Sequence, residues 1–286
     1  MLYIGCPMWG YKDWVGNLFP ARTPASDFLR LYSQTFPTVE GNTIFYATPG
    51  SDTIQKWVQE TPASFRFCPK ISRTISHDGP LATKQQETAA FVERMRLLGE
   101  RLGPLFLQLP PSFHPDALAQ LQTFLDCWPT DLRLAVEIRH PAFFQKQHSA
   151  ALNALLQRYQ VARVIMDTRP IQIGTPQEQQ LYQTRERKPL LPVETTTTTD
   201  FAFVRYIGHP RLEDNTTLFE IWAEQIAEWL QQGRTVYVFC HCPYEVHSPA
   251  ICYEFYRHIQ ARVTLPDLPQ QPQTQESDSI EQMHLF

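Results

Sequence analysis

Short apolar runs alternate along this chain with longer stretches of helical periodicity. The runs are Leu2 to Cys6, Thr38 to Phe45, FRFCPK ending at Lys70, PLFLQLP ending at Pro110, LRLAVEIRH ending at His140, VARVIMD ending at Asp167, FAFVRYIG ending at Gly208 and TVYVFCH ending at His241. Between them the spacing predicts helices over Pro24 to Gln34, Ser51 to Glu60, Thr83 to Leu102, Pro115 to Trp128, His148 to Tyr159, Thr216 to Gln232 and Ser248 to Gln260. Ser51 or Asp52 is the expected N-cap of the second helix. Strand-like runs alternating with helical ones indicate a parallel α/β architecture. Eight such runs predict a single closed (β/α)8 TIM-like barrel, with an open doubly wound sheet as the alternative. The 286 residues suit a barrel, which needs about 250.

Two regions break the rhythm. Arg169 to Thr199 is rich in proline, glutamine and threonine and predicts a long loop after the sixth strand, over the barrel mouth. From Pro266 onward the chain is polar and proline-rich. The expected organisation is therefore a barrel over residues 1–265 and a disordered tail over 266–286.

Polar residues gather where the apolar runs end. Glu40 and Asn42 interrupt the second run, Lys70 ends the third and Gln108 lies in the fourth. Glu137, Arg139 and His140 close the fifth, Asp167 ends the sixth, Arg205 lies in the seventh and His241 ends the eighth. A charge in a strand covered on both faces is costly unless paired. The carboxyl ends of barrel strands are where active sites are built. The acidic and basic members balance, so an internal ion-pair network closing the barrel top is the structural alternative.

Four stretches resemble the YecE-like TIM-barrel family, known as domain of unknown function 72. They are IGCPMWGYKDWVGNLFP, FPTVEGNTIFYATP with the following KWVQETPASFRFCPKISRTISHD, LGPLFLQLPPSF, and LAVEIRHPAFF. Asp167 with its apolar lead-in and DFAFVRYIG also fit, so the resemblance runs from about Leu2 to Ile259. It implies the barrel fold and carries no established reaction. Trp9, Trp14, Glu40, Asn42, Phe45, Tyr46, Lys70, His77, Gln108, Pro110, Glu137, Arg139, His140, Asp167, Arg205 and Gly208 match its motif positions. The last strand departs: where many relatives carry an Asn-Asn-His-like stretch, this chain has Cys240 and His241.

The candidate chemistry follows from residue type. Lys70 among carboxylates is a Schiff-base or general-base candidate, or a point charge paired with Glu40 or Glu137 whose pKa those neighbours hold up. Glu137 and Asp167 are acid/base candidates. With His140, His77 or His241 they are also candidate ligands of a divalent metal, although cationic neighbours compete for them. Arg139 and Arg205 suit bidentate binding of phosphate or carboxylate. Trp9, Tyr11, Trp14, Phe45 and Tyr46 offer aromatic walls or rim packing. Cys240 and Cys242 share one strand face and His241 takes the other, so the thiols read as packing.

The catalytic candidates are thus Glu137, Asp167 and Lys70. The binding candidates are Trp9, Glu40, Asn42, Tyr46, His77, Gln108, Arg139, His140, Arg205 and His241. The leading expectation is an enzyme (hydrolase, lyase or isomerase) acting on a small polar or anionic substrate, a sugar or a phosphate ester. The alternatives are a metal-dependent hydrolase of phosphodiesters and a non-catalytic ligand- or partner-binding module. No cofactor is expected, a divalent metal being the one candidate. The net charge of −4 argues against nucleic acid as a partner, and nothing in the sequence sets the oligomeric state. No apolar run approaches the roughly 20 residues of a membrane span. The N-terminus lacks signal-peptide character, so a cytoplasmic protein with six reduced cysteines is expected.

Overall fold

The structure, a computed structural model, describes residues 1–269. Eight strands and their helices follow in order: β1 (Leu2–Gly5), α1 (Phe28–Thr35), β2 (Thr38–Gly41), α2 (Ser51–Glu60), β3 (Arg66–Pro69), α3 (Arg73–Ser76), α4 (Gln85–Arg96), β4 (Leu105–Gln108), α5 (Leu118–Asp126), β5 (Leu134–Glu137), α6 (Lys146–Arg158), β6 (Ala162–Asp167), α7 (Pro176–Glu186), β7 (Phe201–Ile207), α8 (Thr216–Gln231), β8 (Thr235–His241) and α9 (Ser248–Gln260). Each strand lies within one of the apolar runs. The N-cap of α2 is Gly50, with Ser51 already helical.

The expected closed eight-stranded barrel is not formed. Six parallel strands make one open sheet in the order β1-β8-β7-β6-β5-β4, and β2 pairs with β3 in a separate two-stranded ladder. Local chemistry explains one seam. The Tyr32 hydroxyl on α1 accepts from the Cys6 backbone N–H at 2.6 Å and donates to the Thr38 carbonyl at 2.9 Å. One phenol thus occupies two backbone groups available for pairing between β1 and β2. A single backbone bond remains nearby, Glu40 N–H to the Cys6 carbonyl at 3.1 Å. Gly5 makes room for this arrangement, since a Cβ there would lie 2.0 Å from the Thr38 carbonyl oxygen. Between β3 and β4 contact is reduced to isolated bridges at Phe67–Leu102 and Lys70–Phe106. Pro69 on β3 has no N–H to contribute there.

Period-two alternation sorts the strand residues onto two faces. One face packs into a small interior core containing Tyr3, Cys68, Phe106, Ala135, Val164, Phe203, Tyr237 and Phe239. Tyr3 stacks on Tyr237 at 4.9 Å, and Phe203 packs between Phe106 at 5.4 Å and Phe239 at 4.9 Å. The other face meets the helices through a larger core that includes Ile4, Val39, Leu107, Val136, Ile165, Val204, Val238 and Cys240. One two-residue step beyond the interior rings, toward the carboxyl ends of the strands, the same face turns polar.

The segment after β6 holds more structure than the expected loop. It carries α7, begun by Pro176 and a reciprocal capping box. The Thr175 hydroxyl accepts from Glu178 N–H at 3.3 Å, and the Glu178 carboxylate accepts from Thr175 N–H at 2.8 Å. Only Tyr182 of α7 is buried, so the helix has almost no apolar periodicity to announce it. At the other end, residues 265–269 run along α9. Gln260 Nε2 donates to Asp267 Oδ1 at 2.7 Å, and the Tyr253 hydroxyl donates to the Pro269 carbonyl at 2.8 Å. The remainder of the expected tail, 270–286, lies outside the described residues.

Tyr32→Phe removes the hydroxyl that bridges β1 and β2 and leaves a buried N–H and a buried carbonyl without it. The expected cost is about 2 kcal/mol, read as a lower urea midpoint at an unchanged slope.

Candidate functional site

The polar layer is organised by Arg205, which β7 places directly above the interior rings. Its guanidinium grips Glu40 with two bonds, Nε to Oε2 at 2.9 Å and Nη2 to Oε1 at 2.8 Å. Its third nitrogen, Nη1, donates to Glu137 Oε2 at 2.6 Å. Arg139 Nε takes the other Glu137 oxygen at 2.6 Å. Asn42 Nδ2 donates to Glu40 Oε1 at 2.7 Å and to the Pro7 carbonyl at 3.1 Å. Glu40 is fully buried and Glu137 nearly so. Burial alone would raise both pKa values. Arg205 reverses this for each, holding Glu40 well below the ordinary carboxylate range and, with Arg139, Glu137 at about 2. The face of Phe106 supports Arg205 from below at 4.9 Å.

Lys70 stands beside this network without joining it. Its ammonium donates to Gln108 Oε1 at 2.8 Å and sits 4.1 Å from the centre of the Phe45 ring. Among the described residues it forms no ion pair. The sequence expectation had the neighbouring carboxylates pairing with Lys70 and holding its pKa up. Arg205 and Arg139 take those carboxylates instead. Burial, then the positive charge of Arg205, push Lys70 down to about 7. His77 lies nearby, edge-on to Phe45 at 5.1 Å with Nδ1 2.7 Å from the Ser76 hydroxyl. Burial and the charge of Lys70 depress it to about 4, so it is neutral at physiological pH.

His241 Nε2 lies 3.2 Å from Glu40 Oε2, and burial and Lys188 hold its pKa at about 4. Its Nδ1 is 3.9 Å from Oε1 of Glu245, in the turn after β8. Glu186, the last residue of α7, and Lys188, just beyond it, form an ion pair with each other. Arg185 reaches the Pro243 carbonyl at 2.8 Å and lies over the Tyr244 ring at 4.1 Å. These contacts draw the C-terminal end of α7 over the polar layer.

The result is a cleft of ≈ 1010 Å³. Its walls include Asn42, Phe45, Tyr46, Lys70, Arg73, His77, Gln108, Arg139, Arg205 and His241 on the strand side. Arg185, Glu186, Arg187 and Lys188 line it from the end of α7 and the residues after it, and Glu245 from the turn after β8. Lysines and arginines outnumber carboxylates along this lining, and the most exposed ring is Tyr46, at 82%. The cleft is thus a cationic site with one aromatic edge, suited to an anionic ligand.

Not every expected residue comes here. Ala162, Val164 and Met166 of β6 share the inward phase, so Asp167 points to the opposite face. There it accepts from the Arg169 guanidinium at 2.6 Å and from Trp222 Nε1 at 2.7 Å. His140 caps the turn after β5, its Nδ1 accepting from Ala142 N–H at 3.2 Å. Trp9 packs edge-on to Trp57 at 5.0 Å and Phe67 at 6.0 Å. None of these three lines the cleft, and neither do Glu40 and Glu137, which are buried against Arg205 and Arg139. Among the described residues no three His, Cys, Asp or Glu side chains converge as a metal-ligand set. The oxygens of Glu40, Glu137 and Asp167 are bonded to cationic or N–H donors, so these carboxylates do not fit a metal centre as they stand. Glu245, Arg73 and the run Arg185–Lys188 were not among the expected residues. The Arg-Glu-Arg-Lys run is visible in the sequence as a local charge cluster, whereas Glu245 shows only as one acid a few residues past the last strand.

Arg205→Met leaves two buried carboxylates without their main partner. At pH 7 the expected loss is about 3–5 kcal/mol. Glu40 and Glu137 have lowered folded pKa values, so the stability they contribute is present above about pH 4.5 and lost as pH falls. The gap between wild type and variant in urea unfolding therefore narrows from pH 7 to pH 4. Adding Glu40→Gln to Arg205→Met restores part of the loss at pH 7.

The description of a family termed "Protein of unknown function DUF72" matches residues 3–276. The UPF0759 protein YecE of Escherichia coli (strain K12) is 34% identical over 281 residues, 98% of this chain and 100% of that protein. The UPF0759 protein YunF of Bacillus subtilis (strain 168) is 32% identical over 119 residues, 40% of this chain and 41% of that protein. In fold, the chain is similar to a DUF72 family protein from Enterococcus faecalis V583, with a TM-score of 0.70 at 21% identity, covering 96% of this chain and 100% of that one. A DUF72 family protein from Thermotoga maritima MSB8 gives 0.69 at 20% identity, covering 91% and 99%. The family match and the full-length likeness to YecE agree with the residues resembling this family in the sequence: the chain belongs to the DUF72 family, whose function is unknown.

Proposed function

We propose that this protein is an enzyme acting on a small anionic substrate, a phosphate ester or a phosphorylated sugar, with Lys70 as its proton-transfer group. The observation that carries this reading is Lys70 itself, a lysine in a cationic cleft whose polar partner is a neutral amide. Near pH 7 such a lysine exists as both amine and ammonium. The amine accepts a proton, and the ammonium binds an anion. Arg73 and Arg139 add fixed positive charge, and Tyr46 offers a ring face to a sugar.

In this reading Glu137 and Glu40 hold Arg205 in place rather than exchange protons, since both stay ionised through the neutral range. Asp167 anchors β6 to α8 through Trp222. A metal-dependent phosphodiesterase draws little support from carboxylates already bonded to arginine. No helix among the described residues is long and apolar enough to cross a membrane.

Inorganic phosphate and glucose 6-phosphate are the probes. A bound anion raises the pKa of Lys70, so binding takes up protons between pH 7 and 10 and weakens as the ammonium is lost above about pH 7. Titration calorimetry in buffers of different ionisation enthalpy reads both effects. Lys70→Met weakens binding about 10- to 100-fold and abolishes the proton uptake. Failure of the wild type to bind either probe at millimolar concentration would overturn the proposal.

Lys70 also shapes stability. Its folded pKa lies below its unfolded value, so the unfolded chain holds the extra proton between about pH 7 and 10.5. Stability therefore rises with pH across that window. Lys70→Met flattens this slope in urea unfolding at pH 7 and pH 10.

A further inference from the structure

We propose that Glu245 is a second proton-transfer group of the cleft, a carboxylic acid that protonates a substrate oxygen while the Lys70 amine removes a proton from carbon. The site would thereby enolise a small phosphorylated hydroxy-ketone or hydroxy-aldehyde. This rests on the reading of the cleft as an anion-binding active site and adds the class of reaction.

Glu245 is the carboxylate in the cleft wall that no cation holds. The turn carrying it is fixed by Trp14 Nε1, which donates to the Glu245 backbone carbonyl at 2.8 Å. Its Oε2 accepts from the hydroxyl of buried Ser248 at 2.5 Å. Among the described residues no lysine or arginine pairs with it. Lys188, whose charge together with the Ser248 hydroxyl favours the carboxylate form, is itself paired with Glu186. On the β2 side its charged neighbour is Glu40, and on the α7 side Glu186, both carboxylates that oppose its ionisation. Toward β1 it faces Tyr11 and Cys6, which burial keeps neutral.

His241 completes this environment. Glu40 is ionised and can only accept, so the hydrogen between Glu40 and His241 sits on Nε2. The imidazole is neutral, and Nδ1 therefore presents a lone pair toward Glu245 rather than an N–H. At 3.9 Å this nitrogen makes no hydrogen bond to the carboxyl group, and a neutral ring gives it no cation to pair with. His241 is thus a positioning residue, acting through its neutral form. Burial and Glu186 together raise the Glu245 carboxyl to about 8. The cleft then holds an acid and a base that are both in their working forms near neutral pH.

The step balances without a redox partner. The Lys70 amine takes the proton from the carbon beside the carbonyl and becomes an ammonium. The C–H electron pair forms the carbon–carbon double bond, and the carbonyl π pair moves to oxygen. That oxygen takes the Glu245 proton, leaving a carboxylate and a bound enediol. The Lys70 ammonium then gives its proton to the former carbonyl carbon, the Glu245 carboxylate takes the proton of the other enediol hydroxyl, and that oxygen becomes the new carbonyl, which regenerates both groups and gives the isomeric compound. The phosphate meets the fixed charge of Arg73 and Arg139.

The test uses the full chain with dihydroxyacetone phosphate and fructose 6-phosphate in D₂O, read by proton NMR, beside calorimetry with inorganic phosphate. Wild type is expected to exchange deuterium into the position next to the carbonyl of at least one probe. Glu245→Gln is expected to slow this about 100-fold or more while binding phosphate within about threefold of wild type. The wild-type rate falls above about pH 8 as Glu245 ionises, and Glu245→Gln lacks that limb. His241→Asn, which retains a donor for Glu40, shifts the limb to lower pH. If wild type binds phosphate but exchanges deuterium into neither probe, this inference fails and the anion-binding reading stands. Exchange by Glu245→Gln at the wild-type rate also overturns it. If wild type binds no phosphate, both fail.

Discussion

The fork that Arg205 makes between Glu40 and Glu137 is the constraint on which the rest of the site depends. A guanidinium presents its donors in a rigid plane, and here they are divided between carboxylates from two different strands. The arrangement ties β2, in the two-stranded ladder, to β5 and β7 in the six-stranded sheet. Backbone hydrogen bonding does not join these two sheets along a full edge. Side-chain electrostatics therefore carries part of the connection that a continuous ladder would otherwise make. Burial makes the arrangement demanding, because any one of the three charges left alone would be strongly disfavoured.

The same pairing decides the chemistry around it. Arginine saturates the carboxylates, so Lys70 is left with an amide and an aromatic face. A lysine in that position feels desolvation and positive neighbours more than negative ones. The ordinary expectation for a lysine amid glutamates is thereby reversed. His241 shows the complementary effect, since the ionised Glu40 fixes which ring nitrogen carries hydrogen. The ion pairs are in this sense structural, and they set the protonation states of the groups around them.

Much of this could be read from the sequence because polar residues interrupting buried strands are costly and so mark themselves. Glu40, Lys70, Gln108, Glu137, Arg205 and His241 all stand out in apolar runs, and all share the interior face. Asp167 stands out equally but faces the helices, because the inward phase of β6 falls on Ala162, Val164 and Met166. Phase within one strand is visible in a sequence; which phase points inward depends on register against the neighbouring strands. Sheet closure is hidden from the sequence for a similar reason. Eight apolar runs say nothing about a tyrosine on α1 whose hydroxyl occupies the edge between β1 and β2. The helix α7 escaped because its stability comes from a capping box and a proline, not from an apolar stripe.

The segment carrying α7 gives the cleft its asymmetry. The strands supply a layer whose charges are largely neutralised by one another. Arg185, Arg187 and Lys188 are added from outside that layer, together with Glu186. Lys188 and Glu186 compensate each other, which leaves Arg185 and Arg187 as the net contribution of the segment. Arg185 is itself held by the Pro243 carbonyl and Tyr244, on the turn that also carries Glu245. The positive charge of the segment and the Glu245 carboxyl group are thus joined through one connected stretch of chain.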